Sequence, residues 1–232
     1  MMTKIEKRRL LYSFVFPFLF VSLLSLIKLV EWNWGLQFTS FGILPRELKG
    51  LVGILFSPLI HGDFTHLFNN SIPLLMLGWT LFYFYKELAP KIVLWSWVLS
   101  GLYTWISART SYHIGASGLV YALFGFIFIS GFIRRSNALI AISFLVAFLY
   151  GSLVWGILPW DKSISWEGHF WGLFAGLVLA FYYRKEGPQR KVHVWEEDIE
   201  EEHTGVTQAN GPDELEYEYH FIPNEPNEKK EG

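Results

Sequence analysis

The stretch whose reading decides the fold is HIGASGLVYALFGF, residues 113–126. It opens on small residues, Gly115-Ala116-Ser117-Gly118, and leads into an apolar run that stops only at Arg134-Arg135. A helix apolar on every side belongs inside a large core or in a bilayer. One hydroxyl, that of Ser117, stands at the mouth of this run. A membrane serine commonly bonds back to its own helix and serves packing alone. What distinguishes Ser117 is the set of polar residues that the rest of the chain carries to the same depth.

Working outward, composition fixes the class. The 232 residues are 52% hydrophobic and 17% charged, with the charge gathered at the chain ends and in short clusters, which is the profile of a multi-span membrane protein with a polar tail. The absence of cysteine excludes disulfides, thiolate metal sites and a cysteine nucleophile. Basic residues are scattered at the ends of apolar runs instead of forming one face, so nucleic acid is not an expected partner.

Six apolar runs are expected to span a bilayer: residues 10–30, 66–85, 92–107, 115–133, 138–158 and 166–183. The first is too long for a signal-peptide core and is read as an uncleaved span, with Trp32 and Trp34 at the interface. Residues 51–60 are apolar but too short to cross, and Pro58 interrupts them, so they lie in the interface or enter partway under cover of protein. Six spans put both termini on one side. Lys4, Lys7, Arg8, Arg9, Lys86, Lys91, Arg134, Arg135, Arg184, Lys185, Arg190 and Lys191 fall there, against Lys28, Arg46, Lys49, Arg109 and Lys162 opposite. The positive-inside rule makes the termini cytoplasmic, and the compact size points to a prokaryotic plasma membrane. The expected organisation is a basic N-terminus (1–9), an all-α membrane domain (10–185) and an acidic, disordered cytoplasmic tail (186–232). Within the tail, residues 215–222 offer aromatic residues that a short docking motif would use.

Spacing then converts to depth. Ser117 lies 17 residues before Arg134, His169 lies 15 before Arg184, and Asn70 lies 16 before Lys86. At about 1.5 Å per residue all three sit within roughly one helical turn of each other, with His66 one turn above Asn70 on the same face. A serine hydroxyl needs a base to take its proton, and a neutral imidazole such as that of His169 suits the task. An ionisable group inside a membrane is a functional candidate by default. Acyl transfer also needs donors aimed at the developing oxyanion, and Asn70, His66 and the Ser117 N–H at a helix start can provide them. Gly115, Gly118 and Gly125 on one run, with Gly168, Gly172 and Gly176 on another, permit close backbone approach. Tyr121, one turn below Ser117, is placed to pack on the His169 ring. No carboxylate is an evident third member, since Glu167 adjoins His169 in sequence and so faces elsewhere. The expected machinery is a Ser117–His169 dyad.

Gly115-Ala116-Ser117-Gly118 with Tyr121, His66-x-x-x-Asn70, and His169-x-x-Gly172-x-x-x-Gly176 together resemble the rhomboid intramembrane serine proteases over residues 61–183. The resemblance implies a six-helix rhomboid-like bundle around a cavity open to the outside. It implies Ser117 as nucleophile, His169 as general base, and His66, Asn70 and the Ser117 amide as oxyanion donors, with His61 as a further structural histidine. The implied reaction is hydrolysis of a peptide bond in or near a transmembrane segment of a membrane-protein substrate that enters sideways near the fifth span. No metal or cofactor is implied, and oligomeric state is not addressed. Two departures stand out: the first external loop has no Trp-Arg dipeptide, and the acidic tail has no counterpart in the minimal six-helix core. Three competing readings are weaker. A helix-binding relative without activity is expected to lack the serine or histidine. A metal hydrolase using His61, His66, His113 and His169 lacks a His-Glu-x-x-His motif, and His113 reads as an interfacial histidine. A transporter would show paired repeats with broken helices.

Overall fold

The computed structural model describes residues 3–161 and 163–189. Seven α-helices occur among them: α1 (Lys4–Trp34), α2 (Val52–Phe56), α3 (Phe64–Phe84), α4 (Ala89–Ser107), α5 (Ser117–Ile133), α6 (Asn137–Tyr150) and α7 (Trp166–Tyr182). No strand forms among the described residues, only an isolated antiparallel bridge between Ile43 and His113. The expected tail from residue 190 onward, with its candidate docking motif, lies outside the described residues.

Each expected apolar run becomes a helix, with shifts at the ends that have local causes. α1 begins at Lys4, six residues before the apolar run, because Thr3 and Glu6 form a reciprocal capping box. It ends at Gly35, whose φ of 61° takes the left-handed conformation that a side chain disfavours. α5 begins at Ser117, two residues later than the expected run, because Gly115 lies in the lead-in at φ 108°. The fifth run is α-helical for only 14 residues, after which Gly151–Ile157 tightens into a 3₁₀ helix. The short apolar run is a broken helix: Leu48–Leu59 meets Phe64–Phe84 at a bend of 70°.

Lys4–Trp34 and Asn137–Ile157 are long and apolar enough to cross a membrane by themselves, and the bent pair Leu48–Leu59 with Phe64–Phe84 qualifies as a third. α5, an apolar helix of 17 residues, is shorter. It is also the helix that α3, α4, α6 and α7 pack around: Val120, Tyr121, Ala122, Leu123, Phe126 and Ile127 are all buried. α1 is the reverse, burying only Ser13, Pro17, Leu24 and Glu31 and leaving Val15, Leu19, Leu23 and Leu26 exposed. That apolar outer face is what an integral membrane protein presents to lipid.

Close approach of α5 and α7 is enforced by glycine. A Cβ on Gly172 would strike the Gly118 carbonyl, and one on Gly176 would strike the Ala122 carbonyl. The sequence expectation of backbone contact between these two helices therefore holds, over two turns of α7.

Candidate active site

The sequence carries its polar residues on three helices, and the fold brings them to one end of α5. Asp63 caps α3 by accepting from the His66 N–H at 2.7 Å, which starts the helix so that His66 and Asn70 lie on one face. That face meets the lead-in to α5. A Cβ on Gly115 would fall 2.6 Å from His66 Nε2 and 3.6 Å from Asn70 Nδ2. Glycine is thus required there twice, for its φ of 108° and for the room His66 takes. Asn70 is buried, and its Nδ2 has no hydrogen-bond partner among the described residues. Such a donor costs stability unless something arrives to accept from it.

Ser117 is the first residue of α5, so its N–H belongs to the first turn, which has no intrahelical acceptors. The preceding turn is fixed from behind. Gly115 N–H donates to the Ser57 carbonyl at 2.9 Å, and Ala116 N–H donates to His61 Nε2 at 3.4 Å. His61 is buried and its ring meets that of His66 edge-on at 5.1 Å. Beside Ser117 a cavity of about 30 Å³, lined in part by Ser57, Ser100, Thr104, His113 and Ser165, has room for water.

His169 sits in the first turns of α7, buried, with its ring stacked on Tyr121 at 4.3 Å and 10° between planes. Its Nδ1–H donates to the Gly156 carbonyl at 2.9 Å. A carbonyl only accepts, so Nδ1 carries the proton and Nε2 of the neutral ring keeps its lone pair. Among the described residues no direct hydrogen bond joins Ser117 Oγ to His169, but their neighbours touch: a Cβ on Gly118 would lie 3.3 Å from the Gly168 carbonyl. Glu167 points away from this site, accepting from the Arg109 N–H at 3.3 Å with the Arg109 guanidinium 3.6 Å away.

His113 differs from its expected interfacial setting. It is 3% exposed, its Nε2–H donates to the Arg109 carbonyl at 3.0 Å, and its Nδ1 accepts from the Ser165 hydroxyl at 2.6 Å. Burial, foremost, holds its pKa below the ordinary imidazole value. Both nitrogens are occupied in joining the α5 lead-in to the cap of α7. No group of three His, Asp or Glu side chains at metal-holding separation occurs among the described residues.

Two supports were not legible from motifs. Lys28, a lone cation in an apolar run, donates to the His61 and Gly62 carbonyls at 2.9 and 3.0 Å and pairs with buried Glu31 at 3.2 Å. It thereby ties α1 to the segment carrying His61 and His66. Arg46 holds the first loop by donating to the Ala108 carbonyl at 2.8 Å and Thr110 Oγ1 at 3.1 Å. Its signal was present only as an arginine after a proline, which does not name a partner.

Comparison with known proteins agrees in one direction. The family profile described as "Rhomboid domain" matches residues 49–186. Uncharacterized proteins of Mycobacterium bovis and Mycobacterium tuberculosis are each 37% identical over 186 residues, covering 74% of this chain and 75% of theirs. An uncharacterized protein of Mycobacterium leprae is 31% identical over 188 residues, covering 77% of this chain and 73% of that one.

Proposed function

The chain belongs to the rhomboid family, and from that premise we propose that it is an intramembrane serine endopeptidase acting on transmembrane segments of membrane proteins. The observation that carries this reading is the convergence at the start of α5. There, a hydroxyl (Ser117) and a buried unpartnered donor (Asn70 Nδ2) stand beside a base whose Nδ1 is already engaged.

In the proposed reaction Ser117 Oγ attacks the substrate carbonyl carbon while its proton passes to His169 Nε2. The carbonyl oxygen becomes an oxyanion that accepts from Asn70 Nδ2–H, the His66 ring and the Ser117 N–H. The C–N bond then breaks as His169 returns its proton to the leaving amine. Water, deprotonated by the same imidazole, hydrolyses the acyl-enzyme and frees Ser117. Tyr121, stacked on the imidazole, keeps the ring from turning; Gly115, Gly118 and Gly172 leave space for the backbones to meet.

The reading includes six membrane crossings (α1, α3, α4, α5, α6 with its 3₁₀ extension, and α7), both termini cytoplasmic in a prokaryotic plasma membrane, and a separate acidic tail. Removing residues 190–232 is expected to leave the chemical step intact. Truncation should not reach Glu186 itself, because its carbonyl accepts from Arg134 and its carboxylate pairs with Lys91 at 3.3 Å. Loss of cleavage in a folded 1–189 protein would make the tail part of the enzyme.

The deciding experiment is labelling of detergent-solubilised protein by a fluorophosphonate probe, beside Ser117→Ala and His169→Ala. Labelling of the parent that disappears in both variants is the expected result. Labelling that survives in Ser117→Ala names a different nucleophile, and a folded parent that neither labels nor cleaves favours a helix-binding relative without activity.

A further inference from the structure

Between α6 and α7 the 3₁₀ segment Gly151–Ile157 turns two main-chain carbonyls toward the site. Leu153 accepts from the Tyr121 hydroxyl at 2.7 Å, and Gly156 accepts from His169 Nδ1–H at 2.9 Å. The two donors are the imidazole and the ring stacked on it, so one short segment holds both members of the stack. Position 156 admits only glycine: a Cβ there would land on the Tyr121 hydroxyl and lie 3.1 Å from His169 Nδ1. Among the described residues no carboxylate is hydrogen-bonded to His169. Glu167, the acidic residue nearest in sequence, is committed to Arg109.

A serine nucleophile's base needs a third group to fix which nitrogen carries the proton. We propose that Gly156, through its main-chain carbonyl, is the positioning residue that fills this third place, holding His169 with Nδ1 protonated and Nε2 free toward Ser117. The proposal rests on His169 being the general base. It also explains why the third member is invisible in the sequence, since a carbonyl is common to every residue and only the steric demand for glycine marks this one.

The way the segment is attached has a consequence. The first half of α6 is pinned to α5: Ser143 Oγ lies 3.2 Å from the Ile127 carbonyl, and a Cβ on Gly131 would strike Ser143 and the Leu139 carbonyl. The second half leaves Phe144, Leu145, Phe148 and Leu149 exposed. The acceptors therefore arrive on the less anchored end of α6, and any displacement of that end removes the Nδ1 partner from His169.

The test reads the tautomer directly. Full-length protein with ¹⁵N-labelled histidine is examined by NMR in detergent at neutral pH, with the His169 signals identified by their loss in His169→Gln. The expected parent spectrum has His169 protonated at Nδ1 and bare at Nε2. In Gly156→Ala, assayed below its melting temperature where it remains folded, the signals should move toward Nε2 protonation and kcat should fall by about 10²-fold or more with KM within about twofold. Adding Tyr121→Phe to Gly156→Ala removes the hydroxyl that the new methyl strikes and should restore part of the Nδ1-protonated form. A parent spectrum with Nε2 protonated overturns the proposal without any variant, as does an unchanged tautomer in Gly156→Ala. Cleavage by a parent with Nε2 protonated would overturn the proposal and leave the protease reading standing. The expected tautomer in a folded protein that cleaves and labels nothing would overturn the reading on which the proposal depends.

Discussion

Asn70 Nδ2 is a donor kept in a buried place with nothing among the described residues to accept from it. Folding gains nothing from such a group, so its use has to lie with something that visits. Asn70→Ala is accordingly expected to lower kcat by about 10²–10³-fold while leaving Tm equal to the parent's or higher. Kinetics and thermal melts on one preparation check this; retained activity with a fallen Tm would return Asn70 to the packing. His113 makes the opposite case, a histidine whose partners are all internal. Its folded-state pKa lies below the unfolded value of about 6.5, chiefly through burial. The neutral ring therefore contributes stability that is present above pH 6.5 and is lost as pH falls toward the folded value. Melting temperatures at pH 7.5 and pH 5 should diverge more for the parent than for His113→Gln, and parallel losses would show that other groups dominate. His66, Asn70, Ser117, Tyr121 and His169 could be nominated from the sequence by residue type and spacing, and the fold carries them to one end of α5. Burial of His113 was not legible there, because its loop position hid the Ser165 and Arg109 partners supplied by folding.

At the scale of elements, the helices were readable because apolar runs bounded by charge leave few alternatives, and their ends moved where a cap, a glycine or, at the start of α4, a proline intervened. What could not be read was how loops reach the helices. The bridge between Ile43 and His113, the Arg46 donors and the Lys28 clamp each join residues dozens of positions apart, and no local pattern encodes those pairs. The glycine spacing did encode one long-range contact, that of α5 with α7. Gly172→Ala puts a methyl into the Gly118 carbonyl, so it should destabilise by about 1–3 kcal/mol as overpacking commonly does. Gly151→Ala is the matched control, since its Cβ would meet nothing within 4 Å and its φ of −61° suits alanine. Thermal melts should separate the two variants, and equal Tm values would show that the helices part without cost.

For the whole molecule the decisive question is which end faces the cytoplasm, and the two ends differ in how many cations they carry. At one end Lys28, Arg46 and Arg109 are each committed to carbonyls of the site's supporting loops, at 2.9 Å to His61, 2.8 Å to Ala108 and 2.6 Å to Ile164. Charges used that way have a structural reason to be where they are. At the other end Arg9 reaches the Tyr83 carbonyl at 2.7 Å, Arg134 the Tyr183 carbonyl at 2.7 Å, and Lys91 the Glu186 carboxylate at 3.3 Å. Those bonds gather the start of α1, the ends of α3, α5 and α7 and the start of α4 at a single end, as alternating crossings require. Lys4, Lys7, Arg8, Arg135 and Lys185 add to that end, and it is the cation-rich end that the positive-inside rule retains in the cytoplasm. The chain has no cysteine, so topology is open to single introduced thiols at exposed positions: Ser40→Cys and Asp161→Cys at the site end, Glu87→Cys and Asn137→Cys at the other. In intact cells a membrane-impermeant maleimide should modify the first pair, and the second pair should react only after the membrane is opened. Reaction of Asn137→Cys from outside together with Ser40→Cys would break the alternation of crossings, and reaction of the second pair alone would invert the protein and turn its proposed cavity toward the cytoplasm.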